Sequence, residues 1–489
     1  MRQRTIRHRL IGWTEPAAAF EALHGTSENA FWLDGGVGAV SGRSYVGASS
    51  SVATSSVADG TVTLSPSGRV LDGSILGFLR SRLPSTGEAP VGTNADVGRD
   101  ADPDADPDAV GVPLGWVGWL GYELRAQTMS APSGRVRARE APRPDAAFLE
   151  VDRLVCFDHA TGVVELVALG DSWTGELCAW RDHTAAALGA AGRSAATVSP
   201  DRPSAGPRLA GSGIAAIWFD SDEEYLAKIA ACQHAIQEGE AYQLCLTTQV
   251  AVDTRPDPLA TWLRLRAASP SHHGGFLRIG GVSLLSSSPE QFLSLDAHGV
   301  LESKPIKGTR ARGETAGDDE RLRAELMASE KERAENLMIV DLMRNDLGRV
   351  CELGSVTVPS LLQVESYAQV HQLVSRVRGI LAPGRHPVDA IEACFPAGSM
   401  TGAPKLRATE ILDALEGRAR GLYAGAFGYV GFDGTLDLAM VIRSIVLDAD
   451  GASIGAGGGI TSSSVPGEEL AEVKLKAAAL LAVLGAAAE

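Results

Sequence analysis

The sequence has few of the residues that build disulfide frameworks or soft-metal sites. Its six cysteines are spread over 489 residues, with no C-x-x-C pair and no cluster of Cys with His. This spacing argues against zinc, an iron–sulfur cluster or a disulfide framework. We therefore expect reduced thiols and a cytoplasmic location.

The chain also lacks long apolar runs and an excess of positive charge. No run reaches the ~18 apolar residues of a membrane span, and the basic N-terminus is not followed by an apolar stretch of signal-peptide length. The net charge of −16 opposes non-specific binding to nucleic acid or to anionic membranes. We expect neither partner, and an anionic substrate would need local positive charge.

Two glycine-rich segments lack the spacing of nucleotide-binding loops. Residues 395–405 omit the Gly-Lys-Ser/Thr ending of a P-loop, and residues 454–460 have no second βαβ half. The first segment predicts a turn into a helix whose free N–H groups could meet an anion. The second predicts a glycine-lined backbone nest for a carboxylate.

The composition that remains is that of a folded globular chain, with 45% hydrophobic and 21% charged residues. Short apolar runs separated by Gly and Ser predict a β-rich region over residues 1–189. An acidic Asp-Pro repeat predicts a mobile loop at about residues 88–112. Residues 190–213, rich in Ala, Gly, Ser and Pro, predict a linker, and residues 214–489 a second domain.

The segment from Ser286 to Arg312 predicts a hairpin that turns at Asp296–Gly299. Folding about that turn brings Glu290 close to the position opposite Lys307, so an acid and an amine could flank one bound molecule. Gly308 follows without a side chain to obstruct a ligand. An ordinary surface hairpin with an incidental Glu and Lys would give the same local pattern.

Two pairs of glutamates are spaced three residues apart on predicted helices. Glu332 and Glu335 lie in a helix-forming stretch from Arg321 to Asp346, and Glu469 and Glu472 lie near the start of the last helix. Such pairs usually face water, but the first runs into strongly apolar sequence. Two carboxylate pairs on two helices would suit a hard divalent cation such as Mg²⁺.

Two short motifs resemble the chorismate-utilising enzymes, the family of anthranilate synthase component I. They are Ser-Pro-Glu-Gln-Phe at residues 288–292 and Pro-Ile-Lys-Gly-Thr at residues 305–309. The similarity extends over about residues 218–484, and more loosely over residues 116–124. A Lys in the second motif is typical of the family's aminodeoxychorismate synthase component I, whereas anthranilate synthases have Ala there.

The resemblance implies a fold and a set of site residues. The implied fold is α+β and two-lobed, with large, mostly antiparallel sheets packed face to face and helices outside. The implied Mg²⁺ ligands are Glu332, Glu335, Glu469 and Glu472, of which Glu335 and Glu472 would bind directly. The implied chorismate contacts are Gly308, Thr309, His371, Ser399, Tyr423, Arg443, Gly457, Gly458, Gly459 and Lys476.

The resemblance to the family also implies a reaction. Glu290 would protonate the departing C4 hydroxyl, and Lys307 would add at C2 to form a covalent adduct that ammonia then displaces by attack at C4. The product, 4-amino-4-deoxychorismate, would lead to para-aminobenzoate for folate or for a related specialised metabolite. Ammonia would come from a separate glutamine amidotransferase subunit, since no glutaminase motif is visible.

Three alternatives stay open. Anthranilate synthase is disfavoured by Lys307. Isochorismate synthases carry a water-activating lysine upstream, on a strand where this chain has Gln243. A non-catalytic ligand-binding relative is disfavoured by the intact glutamates and Lys307. The segments that contact tryptophan in some relatives match poorly here, at Leu33-Asp34 and at His272-His273-Gly274.

Overall fold

The computed structural model describes residues 4–83, 111–129, 139–197, 214–367 and 370–486. Most of the acidic loop predicted at about residues 88–112, and residues 198–213 of the predicted linker, lie outside these ranges. The described chain forms two 12-stranded sheets and eleven α-helices. None of those helices combines the length and the apolar character needed to cross a bilayer.

The strands are antiparallel to their neighbours throughout both sheets. Their bounds are β1 (Thr5–Arg9), β2 (Ala30–Asp34), β3 (Arg43–Ala48), β4 (Val52–Ser56), β5 (Thr61–Ser65), β6 (Arg69–Asp72), β7 (Gly115–Leu120), β8 (Ala146–Val151), β9 (Arg153–Asp158), β10 (Val163–Leu169), β11 (Ala216–Trp218), β12 (Gln243–Val252), β13 (His273–Ile279), β14 (Val282–Ser288), β15 (Gln291–Leu295), β16 (Val300–Ser303), β17 (Ile306–Ala311), β18 (Thr357–Ser366), β19 (Val370–Ile380), β20 (Gly402–Ala403), β21 (Ala426–Gly431), β22 (Leu436–Met440), β23 (Ser444–Asp448) and β24 (Gly451–Ile460).

The helices lie between these strands in the sequence. They are α1 (Pro16–His24), α2 (Ile75–Arg82), α3 (Arg125–Thr128), α4 (Gly175–Thr197), α5 (Asp222–Gln237), α6 (Pro258–Ala268), α7 (Ala316–Ala328), α8 (Glu330–Gly348), α9 (Pro387–Cys394), α10 (Lys405–Glu416) and α11 (Pro466–Leu484). The stretch predicted as one helix, Arg321 to Asp346, is two helices that meet at Ser329, and α4 includes the first residues of the predicted linker.

Each sheet contains strands from both of the regions that the sequence analysis separates. Sheet A has the order β1-β10-β9-β3-β2-β13-β14-β23-β24-β12-β11, with β20 on β12, and sheet B has the order β17-β19-β16-β15-β22-β21-β7-β8-β4-β5-β6, with β18 on β19. The two regions meet where β2 pairs with β13 and where β7 pairs with β21. The domain division of the chain stays a prediction.

The sheets pack face to face, with the helices outside, as predicted. Phe31 and Leu277 of sheet A share one buried cluster with Val117, Trp119 and Phe427 of sheet B. Helices α1, α5, α6, α10 and α11 cover the other face of sheet A, and α2, α8 and α9 that of sheet B. Because side chains alternate between the two sides of a strand, one face of sheet A packs against helices, and the other, its inner face, packs against sheet B.

Candidate active site

A cavity of about 580 Å³ opens between the two sheets beside α8 and α11. It is lined by every predicted site residue except His371. The predicted residues in its wall are Glu290, Lys307, Gly308, Thr309, Glu332, Glu335, Ser399, Tyr423, Arg443, Gly457, Gly458, Gly459, Glu469, Glu472 and Lys476. Segments far apart in sequence thus meet at one site large enough for a small organic molecule.

Glu290 and Lys307, which the hairpin pattern places near each other, both line the cavity. Strands β15 and β16 pair about the expected turn. The chain then runs from β16 into β17, which carries Lys307, and both of these strands pair with β19. Burial raises the pKa of Glu290 to about 7, against the opposing effects of the Lys307 charge and of a hydrogen bond from Ser399. A carboxyl group with this pKa can hold a proton near neutral pH and release it to a bound molecule.

Gly308 makes the bend that turns Lys307 towards the cavity. Its φ of +85° lies in the left-handed region, and the register between β17 and β19 shifts between Ile306 and Thr309. A Cβ atom at Gly308 would lie 2.7 Å from Cδ of Glu332 and 2.8 Å from Cδ1 of Leu326. Both the backbone conformation and the space therefore require glycine here.

We expect Gly308→Ala to lower the free energy of unfolding by about 1–3 kcal/mol, because alanine strains this conformation and displaces Glu332. Thermal unfolding of the ligand-free protein measures the change. Gly348→Ala is the matched control: Gly348 ends α8, and nothing lies within 4 Å of a Cβ built there. Equal melting temperatures for Gly308→Ala and the wild type would contradict this account of β17.

The four glutamates line the cavity, and three of them, Glu332, Glu469 and Glu472, are paired with basic side chains. Glu332 accepts hydrogen bonds from Arg310 at 2.9 and 3.3 Å. Glu469, which is buried, lies 3.1 Å from Nζ of Lys331 and accepts a hydrogen bond from Ser464 at 2.7 Å. Glu472 lies 2.8 Å from Nζ of Lys476, which also donates to the carbonyl of Gly457.

Glu335 carries the least compensated of these charges. Burial raises its pKa, and the carboxylates of Glu469 and Glu472 add to that effect against the opposing charges of Lys307 and Lys331. Burial also disfavours the ionised form of Glu472, but its pKa is lowered overall, chiefly by Lys476. Three carboxylates that interact around a cavity form a suitable environment for a divalent cation.

The arrangement fits a metal held by few protein ligands. In the ranges that the structure describes, no three side chains of His, Cys, Asp or Glu surround a single point as a closed metal site would. Mg²⁺ usually takes one or two carboxylates and completes its octahedron with water and substrate oxygens. One carboxylate from α8 and one from α11 would meet that requirement.

An arginine and a run of glycines also line the cavity. Arg443 has a left-handed φ of +48°, and burial lowers the pKa of its guanidinium. No carboxylate within the described residues forms an ion pair with it, so its charge is available to an anionic ligand. Gly457, Gly458 and Gly459 leave the backbone of β24 open, and a Cβ at Gly458 would lie 3.2 Å from Oε2 of Glu469.

His371 lies outside the cavity, and its neighbour Gln372 lines it instead. Successive residues of β19 point to opposite faces, and the His371 ring is buried against Ser366 and Asp319, at 2.8 and 2.9 Å. The position expected to face the ring of a ligand is therefore occupied by Gln372. From the alternation of a strand alone, either His371 or Gln372 could face the cavity. The pairing of β19 with β17 determines which of the two does so.

The site contains further groups that the sequence analysis did not select. Arg310 and Lys331 supply positive charge to the glutamates, and the thiol of Cys245 lies in the wall. Of the segment 395–405, predicted as a turn into an anion-binding helix, Ser399 and Met400 line the cavity, whereas no residue of α10 does. Lys405, the first residue of α10, is instead ion-paired with Asp346.

Leu33-Asp34 and His272-His273-Gly274 are the segments at the positions that contact tryptophan in some relatives. They lie around a second cavity, of about 70 Å³, between the sheets. Asp34 forms an ion pair with Arg266 at 2.6 Å, and the ring of His272 stacks on Tyr367. Burial, together with nearby positive charge, lowers the pKa of His272 and of His273 to about 3. This cavity is small, and its polar groups are largely engaged with one another.

The chain is similar to known proteins over most of its length. Residues 88–482 match the family described as chorismate binding enzyme. The chain is 41% identical to an aminodeoxychorismate synthase of Streptomyces griseus over 99% of its own length, and 44% identical to one of Streptomyces pristinaespiralis over 77%. It spans only 65% and 52% of those two proteins.

A solved structure shows the same architecture. Anthranilate synthase component I from Streptococcus pneumoniae TIGR4 superposes with a TM-score of 0.70 at 25% sequence identity, covering 91% of this chain and 92% of that protein. The predicted α+β fold with two large antiparallel sheets is confirmed.

Proposed function

Because the chain belongs to the chorismate binding enzyme family, we propose that it is the component of an aminodeoxychorismate synthase that aminates chorismate at C4. The observation that carries this proposal is the pair formed by Glu290 and Lys307, an acid whose pKa burial raises to about 7 beside an amine in one cavity. The family's anthranilate synthases have Ala at the position of Lys307. The two Streptomyces relatives bear the name of the proposed activity.

Chorismate is a dianion, and the cavity supplies separate partners for its two carboxylates. Arg443 faces the cavity without a described carboxylate partner and can bind one of them in bidentate fashion. Lys476 and the open backbone at Gly457–Gly459 lie on the β24 and α11 side and suit the other. Thr309, Ser399 and Tyr423 supply hydroxyl groups, and Gln372 an amide, that can orient the ring and its substituents.

In the proposed reaction, Glu290 and Lys307 act on opposite ends of the conjugated diene of the chorismate ring. The amine of Lys307 forms a bond to C2, both double bonds shift one position around the ring towards C4, the C4–O bond breaks, and Glu290 gives its proton to the leaving oxygen, so that water departs. Ammonia then bonds to C4, both double bonds return to their original positions, and the C2–N bond to Lys307 breaks. The lysine is released as an amine, and 4-amino-4-deoxychorismate leaves.

We propose that Mg²⁺ binds between α8 and α11, with Glu335 and Glu472 as direct ligands and with Glu332 and Glu469 around them. Bound there, the ion would neutralise the carboxylates and hold a substrate carboxylate. The raised pKa of Glu335, due to burial and then to the charges of Glu469 and Glu472, supports this assignment. The present partners Lys331 and Lys476 would be released towards the cavity.

The proposal is tested by the product made from chorismate, ammonium and Mg²⁺. We expect a product with the mass of an aminated chorismate, which a lyase converts to para-aminobenzoate. Anthranilate as the main product would assign the chain to the sister activity, and isochorismate would indicate addition of water instead of ammonia. No turnover at all would favour a ligand-binding relative.

We expect Glu472→Gln to raise the Mg²⁺ concentration needed for half-maximal activity by about 10–100-fold, because a neutral amide is a poor ligand for a hard cation. Titration of the initial rate with Mg²⁺ measures this change. Glu468→Gln is the matched control, since Glu468 lies on the same helix, four residues before Glu472, but does not line the cavity. An unchanged Mg²⁺ requirement in Glu472→Gln would contradict the assignment.

We further propose that the nitrogen is supplied by a separate glutamine amidotransferase subunit. The purified chain is expected to use ammonium by itself, but to use glutamine only after such a subunit has been added. Product formation measured with glutamine as the sole nitrogen source checks this. Glutamine-dependent turnover by the chain alone would refute the need for a partner. Whether the product serves folate or a specialised metabolite is decided by the enzyme that consumes it.

A further inference from the structure

Lys307 lies in a β-bulge of β17. Ile306 pairs with Val374 and Thr309 pairs with Gln372, so two residues of β17 oppose a single residue of β19 between these pairs. A bulge aims a side chain in a direction that the regular strand does not allow, and its extra residue is left out of the ladder. The position of the bulge therefore depends on the contacts that hold its two ends.

Helix α8 supplies a contact at each end of the bulge. After the bulge, Arg310 donates to the carboxylate of Glu332 at 2.9 and 3.3 Å. Before the bulge, the carbonyl of Pro305 accepts a hydrogen bond from the side chain of Asn336 at 3.4 Å. Glu332 and Asn336 both belong to α8, which also carries Glu335. One helix thus holds the bulge from both sides.

The side chain of Asn336 is fully buried, and its polar atoms are all bonded. Its exposed fraction is 0%. The amide nitrogen donates to the carbonyls of Pro305 and Leu373, at 3.4 and 3.3 Å, and the amide oxygen accepts from the hydroxyl of Ser375 at 2.5 Å. The two carbonyl oxygens can only accept, so the nitrogen of the amide has to face them.

Ser375 joins Asn336 to two further strands. Its hydroxyl accepts a hydrogen bond from the backbone N–H of Leu362 on β18 at 2.9 Å, and its own N–H donates to the carbonyl of Pro305 at 3.1 Å. These bonds connect α8, β18 and β19 with the residue that lies two positions before Lys307. Because a buried polar group that loses its partner costs free energy, the bonds hold the segment in one position.

We propose that Asn336 is a positioning residue, which fixes the Lys307 bulge to α8 and so determines where the amine meets C2 of bound chorismate. This role rests on the proposed amination through Lys307. A new bond forms efficiently only when the reacting atoms are held about 3–3.5 Å apart, and a misplacement of about 1 Å can cost about 100-fold in rate. Loss of the Asn336 amide should therefore slow the attack of Lys307 and leave chorismate binding nearly unchanged.

Two substitutions of Asn336 test this role. Asn336→Ala removes the amide, whereas Asn336→Asp keeps its shape but places an oxygen against two carbonyl oxygens. Enzyme is mixed with chorismate and Mg²⁺ without ammonia and quenched, and the adduct on the Lys307 peptide is measured by mass spectrometry over a range of chorismate concentrations. In both variants we expect the maximal rate of adduct formation to fall about 10–100-fold, while the half-saturating chorismate concentration stays within about threefold.

Val377→Ala is the matched control for loss of stability. Val377 is fully buried on β19, on the same face as Ser375 and two residues beyond it, and does not line the cavity. Its melting temperature should fall, but its maximal adduct rate should stay within about threefold of the wild type. Ser375→Ala removes the bond to the amide oxygen and keeps the bond from Asn336 to Pro305, so we expect a smaller loss of rate, about 3–10-fold.

The outcomes separate the role of Asn336 from the proposed activity. Adduct rates in both Asn336 variants that equal the wild-type rate overturn the role and leave the activity intact. An equal loss in Val377→Ala shows that any weakening of β19 slows the reaction, and it overturns the role as well. Where neither Asn336 variant folds, Ser375→Ala decides: the expected loss supports the role, and an unchanged rate overturns it. A wild type that forms no adduct overturns the covalent step itself.

Discussion

Glu290→Gln is expected to lower the rate of 4-amino-4-deoxychorismate formation by about 10²–10⁴-fold, the range associated with loss of a general acid. The amide keeps the shape of the side chain but cannot protonate the departing hydroxyl group. Chorismate should therefore still bind with near-normal Kd, while the adduct on Lys307 fails to form. Rapid quenching followed by mass spectrometry of the Lys307 peptide measures this, and an adduct that forms at the wild-type rate would contradict the role of Glu290.

The same substitution should have the opposite effect on stability. Burial raises the pKa of Glu290 from its ordinary value of 4.5 to about 7, so the folded protein holds a proton that the unfolded chain releases between those pH values. Stability from this group is thus present below about pH 4.5 and is lost as pH rises to about 7. At pH 8 we expect Glu290→Gln to be more stable than the wild type by about 1–3 kcal/mol.

This stability difference should disappear at acid pH, where Glu290 is protonated in both the folded and the unfolded chain. Melting temperatures of both proteins at pH 8 and near pH 4.5, without ligands, measure it. The activity of the wild type should fall as pH rises through about 7, because the acid loses its proton. A variant that is less stable at pH 8 would show that Glu290 is ionised and paired in the folded protein.

Lys307→Ala is expected to reduce the 4-amino product at least 10³-fold, as loss of a catalytic nucleophile does. No covalent adduct should form on the 305–309 segment. The emptied space beside C2 could then admit ammonia directly, so we expect the residual activity to shift towards a 2-amino product and anthranilate. Chromatography and mass spectrometry of the products distinguish the two regiochemistries.

Lys304→Ala is the matched control for this experiment. Lys304 lies in the same segment, but it pairs with Glu302 at 3.4 Å and does not line the cavity. It should retain the wild-type product and rate to within a few-fold. Unchanged 4-amino product from Lys307→Ala would remove the basis for a covalent mechanism.

Resemblance to the family selected most of the residues that line the cavity. Spacing by itself pointed to only a few of them: Lys307 and Gly308 lie on a strand, and Glu469 and Glu472 lie three residues apart on a helix. The hairpin about Asp296–Gly299 was predictable as well, because turn chemistry sets its register.

Features that depend on distant pairing were not predictable. His371 and Gln372 are equally plausible from their motif, and only the partners of β19 determine which of them faces the cavity. The break between α7 and α8 is not visible in the sequence, since helix-forming residues continue on both sides of Ser329.

Both sheets contain strands from early and from late in the chain, and this affects folding during synthesis on the ribosome. Strand β7 obtains its neighbour β21 only when residues 426–431 have been translated, since Gly118 pairs with Gly428. Until then the nascent chain exposes an unpaired edge of β7, which includes Trp116 and Trp119, to other proteins. Low temperature or slow induction should therefore raise the soluble yield, and chaperone holdases should bind chains that stop before residue 426.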